Sequence, residues 1–206
     1  MTDCFALLGE PRRPWIDPEA LKLKFLALAA EVHPDRVHRA TPLEKQAATQ
    51  RYAELNAAYR CLCEPKERLF HLLELECGIK PDDVHPISPA AMDASLEVSH
   101  LCREADASLA EKAKATSPLL KVQVFERAMA LTERLNRLHG GLNARRDGLT
   151  EQLIRLNMAW ESAPPVGSPT RSHALPCSRL EHVYRELSFL TRWSEQIHER
   201  MVKLSL

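Results

Sequence analysis

The sequence predicts an all-α chain in two parts, and three observations carry that expectation. Glycine and β-branched residues are sparse while Ala, Leu, Glu and Arg are abundant, the composition of helices. Apolar residues recur every three or four positions along most of the chain, the period that lines one helix face. Proline-bearing helix starts interrupt that pattern at intervals, and no stretch reads as a strand. With 206 residues the chain can hold one or two domains around a real core. Its 28 basic and 28 acidic residues cancel, so no electrostatic footprint for nucleic acid is present. No run is apolar and long enough to cross a bilayer. The expectation is a soluble, cytoplasmic protein with neither a nucleic-acid nor a membrane partner.

The first half reads as four helices. Asp3 can cap a short helix that Gly9 ends, and Pro11 and Pro14 stiffen the connection that follows. The start, Met1 to Gly9, lacks the basic and apolar regions of a secretory signal. Asp17-Pro18-Glu19 opens the second helix, whose Leu21, Phe25, Leu28 and Val32 share a face. Pro34 cannot donate a backbone hydrogen bond and pushes His33 out of the helical region, so this helix must stop at Val32. Thr41-Pro42-Leu43-Glu44 is a capping box that starts a third helix, with Tyr52, Leu55, Tyr59 and Leu62 along one side. Two antiparallel helices therefore flank a loop that offers an imidazole, a rigid proline and a carboxylate side by side: His33, Pro34 and Asp35. Pro65 opens a fourth helix and Gly78 closes it. Apolar residues cover more than one face of that helix, as expected of one wedged between two domains.

Residues 80–86 read as a connector, after which Ser88-Pro89 starts a fifth helix. There Met92, Leu96, Ser99 and Arg103 follow one face, and Ala91, Val98, Leu101, Ala105 and Leu109 the opposite one. Ser117-Pro118 starts a further helix with Val124, Leu131, Leu135 and Leu138 as its buried stripe, continued by Leu142, Leu149, Leu153 and Leu156. Gly140-Gly141 should weaken or kink it, and Gly148 weaken it again. The Pro/Ser-rich stretch 163–177 has almost no periodicity and reads as a mobile loop. Ser178-Arg179-Leu180-Glu181 forms another capping box, and Leu180, Val183, Leu187, Leu190, Ile197, Met201 and Leu204 carry the last helix. The expected division is an N-terminal domain at 1–78, a connector at 79–87, and a three-helix bundle at 88–206 with its flexible loop at 163–177.

Cys4, Cys61, Cys63, Cys77, Cys102 and Cys177 contain no C-x-x-C pair, so neither zinc nor another metal or cofactor is expected. Their spacing does not resemble a small disulfide framework either, which points to reduced thiols. His33 with Asp35, and His71 with Glu67 and Glu74, are residue types that serve in acid/base or metal sites. These residues fall on an exposed loop or along one helix rather than converging in a pocket, so no catalytic residues and no enzyme are expected.

The helix, the His33-Pro34-Asp35 loop, the second helix, and then Tyr52-Ala53-Glu54-Leu55-Asn56-Ala57-Ala58-Tyr59-Arg60-Cys61-Leu62 with Pro65 and Arg68 together resemble a J-domain, the module by which DnaJ-type co-chaperones stimulate DnaK-type chaperone ATPases. Many J-proteins continue into a glycine/phenylalanine-rich linker and cysteine-rich zinc repeats. This chain has neither, and a J-domain followed at once by a helical bundle resembles the HscB family of iron–sulfur cluster biogenesis. That resemblance implies a chaperone-binding surface at His33, Pro34, Asp35, Arg36 and Lys22, with Asp35 accepting hydrogen bonds from the chaperone and hydrolysis taking place in that partner. It implies that the basic face usual on the second helix is depleted here, since Leu26, Ala27 and Glu31 stand at its positions. It also implies that Met92, Leu96 and Glu97 on the first bundle helix, with Phe189 on the last, bind a cluster scaffold of the IscU type, while HscA is the chaperone recruited. Two other readings share the architecture: a J-protein of a general DnaK-type chaperone serving another client, and a J-like adaptor that stimulates no chaperone.

Overall fold

The computed structural model describes residues 2–33, 41–81 and 89–205. All regular structure among them is helical: α1 (Cys4–Leu7), α2 (Pro18–Glu31), α3 (Pro42–Cys63), α4 (Pro65–Leu72) with a π-helical last turn at Leu73–Cys77, α5 (Pro89–Lys114), α6 (Pro118–Glu161), α7 (Arg171–Ala174) and α8 (Cys177–Ser205). No helix among the described residues is long and apolar enough to cross a membrane. The chain forms two compact units, Met1–Asp82 with Thr150–Tyr184, and Asp83–Leu149 with Arg185–Leu206. The tract 150–184, grouped with the bundle on sequence grounds, packs with the N-terminal residues.

The first unit is built on α3, against which α1 and α2 pack. Asp3 caps α1 by accepting the amides of Phe5 and Ala6, and Gly9 ends it at φ 63°, a left-handed conformation open to glycine. Phe5, Leu8, Ile16, Leu21, Leu55, Leu62, Leu69, Leu72 and Leu73 are fully buried. Arg68 is buried with them. Its Nε donates to the Pro14 carbonyl at 2.9 Å and its guanidinium also reaches the Leu62 carbonyl, tying the proline-stiffened connection to the end of α3. Desolvation depresses its pKa to about 10, still far above neutrality.

The apolar faces of α4 look both ways because 150–184 supplies a second set of partners. Phe70 meets Tyr184 at 6.0 Å between ring centroids. Asn157 exchanges two hydrogen bonds of 2.9 Å with the backbone of Trp15, as a strand neighbour would. Within the stretch 163–177, Arg171–Ala174 form the short helix α7. Arg171 is buried, with Nε and Nη2 forking onto the Glu76 carboxylate at 2.7 and 3.2 Å and Nη1 donating to the Pro164 carbonyl. Arg12 reaches the same carboxylate at 3.4 Å and holds Asp3 at 2.7 Å.

Cys77 and Cys177 are joined in a disulfide with their Cα atoms 6.0 Å apart, which corrects the expectation of reduced thiols. The two lie 100 residues apart, a separation at which spacing says nothing about proximity. On the chain-entropy account a loop of that size contributes about 4–5 kcal/mol. Cys177 also begins α8 one residue before the expected Ser178 cap.

In the second unit, α5 and α6 run antiparallel, as their cross-links show: Arg134 pairs with Glu104, and Arg127 with Glu111 at 3.4 Å. The last part of α8 completes a three-helix arrangement, with Arg200 on Asp106 at 3.2 Å. Val98, Leu101, Ala105, Leu131, Leu135, Leu142, Leu187, Leu190 and Ile197 are buried, so the predicted stripes do face inward. α6 is not interrupted at Gly140-Gly141 or at Gly148. Forty-four residues of continuous helix absorb the glycine penalty locally, because the flanking leucines are packed on either side.

Two outcomes follow. A Cβ added at Gly140 or Gly141 meets nothing within 4 Å, so Gly140→Ala with Gly141→Ala raises stability by about 1–2 kcal/mol in thermal or chemical denaturation. Arg171→Met leaves Glu76 with only the longer Arg12 contact and lowers stability by about 3 kcal/mol, read as a reduced denaturation midpoint.

Candidate functional site

Two helices lead to and from the loop that the sequence singles out. α2 starts on Asp17, whose carboxylate accepts the Ala20 amide at 2.8 Å, and its last helical residue is Glu31, followed by Val32 as the C-cap. α3 starts on the Thr41 capping box, in which the Thr41 amide donates to Glu44 at 2.8 Å. That backbone hydrogen bond, with one from the Thr41 hydroxyl, holds the Glu44 carboxyl below its ordinary range. The helix boundaries on both sides of the loop are therefore set by local chemistry.

The faces that join the pair are aromatic. Phe25 stacks on Tyr59 with ring centroids 4.3 Å apart and planes 15° from parallel. His33 is half-buried and stands edge-on to Tyr52 at 5.3 Å and 79°. Two rings of α3 thus brace α2 near its middle and at the residue where the loop begins. Pro34, Asp35 and Arg36 lie outside the described residues.

The outer face of α2 carries Lys22, Leu23, Leu26, Ala27 and Glu31, all exposed. Lys22 lies 3.9 Å from Glu19, a solvated pair of small energetic weight. Lys24 is not available to an outside partner. Its ammonium donates to the Gly9 carbonyl at 2.6 Å and to Glu10 at 2.8 Å, tying α2 to the end of α1. The sequence carries a signal for this in Glu10, which directly follows the helix-ending Gly9. Leu23 and Leu26 are 67 % and 52 % exposed, so this face is more apolar than cationic.

On α5, Met92 and Leu96 are 52 % and 64 % exposed, and Glu97 is exposed beside them. Four residues apart, the two apolar side chains share one face, while Ala91, Val98, Leu101 and Ala105 turn to the core. Neither Met92 nor Leu96 is a core residue. Phe189 on α8 is half-buried and stacks on the buried Trp193 one turn further along, with centroids 5.7 Å apart. The structure therefore brings Met92 and Leu96 together on one helix face and fixes Phe189 against its own helical neighbour. Trp193, absent from the sequence-based site, is what holds that ring in place.

None of these residues forms a pocket with convergent acid, base or nucleophile. What the arrangement offers is two surfaces: a braced helical hairpin ending in a loop, and an apolar strip on a bundle helix.

No family model matches the chain. A curated relative, the co-chaperone protein HscB homolog of Bordetella petrii, is 43 % identical over 91 residues, covering 44 % of this chain and 51 % of the relative. The matching homolog of Bordetella pertussis is 41 % identical over the same length. The chain thus spans about half the length of the curated relatives it matches. Among solved structures, the fold is similar to that of the chaperone HscB from Vibrio cholerae, with TM-score 0.56 and 20 % identity over 96 % of each chain. It is also similar to human co-chaperone protein HscB, with TM-score 0.61 and 18 % identity over 97 % of this chain and 82 % of that one. At these identities the structural likeness speaks for the fold.

Proposed function

We propose that the chain is a co-chaperone of the HscB kind, which stimulates the ATPase of a DnaK-type chaperone of the HscA kind and delivers an IscU-type scaffold to it for iron–sulfur cluster assembly or transfer; the partial match to curated HscB homologs and the likeness in fold to solved HscB structures support this reading. The observation that carries this reading is the α2–α3 pair: aromatic contacts at Phe25–Tyr59 and His33–Tyr52 fix the helices on either side of the His33-Pro34-Asp35-Arg36 sequence. Asp35 is assigned the charge-assisted contact with the chaperone, and Pro34 and Arg36 flank it. Lys22 contributes a cation from the helix face. Hydrolysis takes place in the chaperone, so the chain itself is a non-enzymatic activator acting in the cytoplasm.

The exposed Met92–Leu96 strip with Glu97, and Phe189 on α8, are assigned to the scaffold. Burying two such side chains against a partner contributes a few kcal/mol, enough to set an affinity without a large interface. One observation favours the adaptor reading instead: with Lys24 engaged by Glu10, the outer face of α2 offers Lys22 alone among the residues 18–31.

Single-turnover ATPase of the cognate chaperone, measured with and without the scaffold, separates these readings. Stimulation that is cooperative between this chain and the scaffold is expected. Asp35→Asn abolishes stimulation while leaving the circular-dichroism melting curve unchanged; full stimulation by that variant would sink the assignment. Met92→Ala with Leu96→Ala weakens scaffold binding by about 2–3 kcal/mol, roughly 30- to 150-fold in Kd by calorimetry, and leaves scaffold-independent stimulation in place.

A further inference from the structure

We propose that Cys4, Cys61 and His71 form a binding site for one thiophilic divalent transition-metal ion, zinc(II) foremost, with a fourth position open to solvent or an outside ligand. One donor atom from each of the three side chains lies within 4.8 Å of the other two. In a tetrahedral site with bonds of about 2.0 Å to nitrogen and about 2.3 Å to sulfur, donors stand roughly 3.5 Å apart. The gap is therefore about an ångström, within reach of a turn about the Cys4 or Cys61 side-chain bond. Two thiolates and an imidazole are a soft, borderline donor set that suits zinc and its neighbours and does not suit magnesium or calcium.

The three donors come from three elements, the first turn of α1, the last turn of α3 and the last turn of α4, with α3 packed against both of the others. This is why cysteine spacing conceals the site: no two donors fall within one local motif. His71 is buried and lies parallel to Phe5 with centroids 5.9 Å apart and planes 8° from parallel, so its ring is oriented before any metal arrives. Cys4 and Cys61 are half-buried, which leaves a route in from solvent. His71 Nε2 at present accepts the Cys4 amide at 3.0 Å. A metal taking that lone pair displaces this one hydrogen bond, and two thiolate bonds are gained in exchange. The balance is that of any such site: the divalent ion binds, two thiol protons leave to solvent, and no electron is transferred. The site uses none of the residues assigned to the proposed function, so its test stands apart from that reading.

The test uses the full chain with its disulfide intact, stripped with a chelator, kept under inert gas, and titrated with cobalt(II). One equivalent is expected to saturate, giving sulfur-to-cobalt charge transfer and the visible bands of tetrahedral cobalt, which zinc(II) then bleaches. Cys4→Ser and Cys61→Ser each lower cobalt affinity by at least about a hundredfold, beyond the roughly 10- to 100-fold that loss of an outer partner brings. His71→Gln removes the third donor, and because His71 is buried its fold is checked first by circular dichroism; the two half-buried cysteine variants carry the test if it fails to fold. Cys63→Ser leaves the spectrum as it was. No cobalt binding at micromolar protein overturns the site, as does binding without sulfur charge transfer. A signal that survives both Cys4→Ser and Cys61→Ser, or one lost instead in the Cys77→Ser/Cys177→Ser double variant, overturns it equally.

Discussion

One buried carboxylate organises the N-terminal unit. Glu76 receives the forked guanidinium of Arg171 and a longer contact from Arg12, which in turn holds the Asp3 cap of α1. A charge withdrawn from water is tolerated only when it is compensated, and here two cations from distant parts of the chain do so. The consequence is topological: the connection after α1, the end of α4 and the segment leading into α8 must all be in place before Glu76 is satisfied. The Cys77–Cys177 disulfide closes the same neighbourhood covalently, at the residue next to Glu76. Within the stretch 163–177, that carboxylate is the partner that buries Arg171.

The α2–α3 pair depends on a different kind of force. Its contacts are stacked or edge-on rings and apolar side chains, with polar groups kept to the caps. Caps fix where each helix starts or ends, and rings fix how the two lie against each other. Neither needs the loop between them to form first. This separation lets residues 33–36 be selected for what they present, because the flanking helices are already specified by Asp17, Thr41, Phe25 and Tyr59.

Local signals were the readable ones. Asp3, Asp17 and Thr41 as caps, Pro18, Pro42 and Pro65 as first residues and Gly9 and Gly78 as terminators all act within a turn of where they stand, and each helix boundary they mark is found there. The face of α5 that carries Met92 and Leu96 was legible for the same reason, since periodicity alone separates it from Ala91, Val98 and Leu101. What could not be read required partners far along the chain. Arg171 looks like a solvent-facing residue in a proline-rich loop until Glu76 is brought to it. Cys77 and Cys177 look like two unrelated thiols, and so do Cys4 and Cys61. Gly140-Gly141 failed as a kink for a related reason: propensity is a weak term beside leucine packing on both sides of the pair. The Lys24–Glu10 pair was hidden in the same way, because the two residues belong to different parts of the chain.

The outer face of α2 carries little net charge. A strongly basic helix gains its encounter rate from long-range attraction to an acidic surface, and salt screens that attraction over a Debye length of about 8 Å. Here Lys24 is engaged by Gly9 and Glu10, Lys22 lies 3.9 Å from Glu19, and Glu31 adds a charge of the opposite sign at the end of α2. Little net charge is left to steer. Leu23 and Leu26 occupy the centre of the same face and are largely exposed, so the surface can hold a partner through short-range apolar burial instead. An interface of that kind discriminates by shape at contact rather than by charge at a distance.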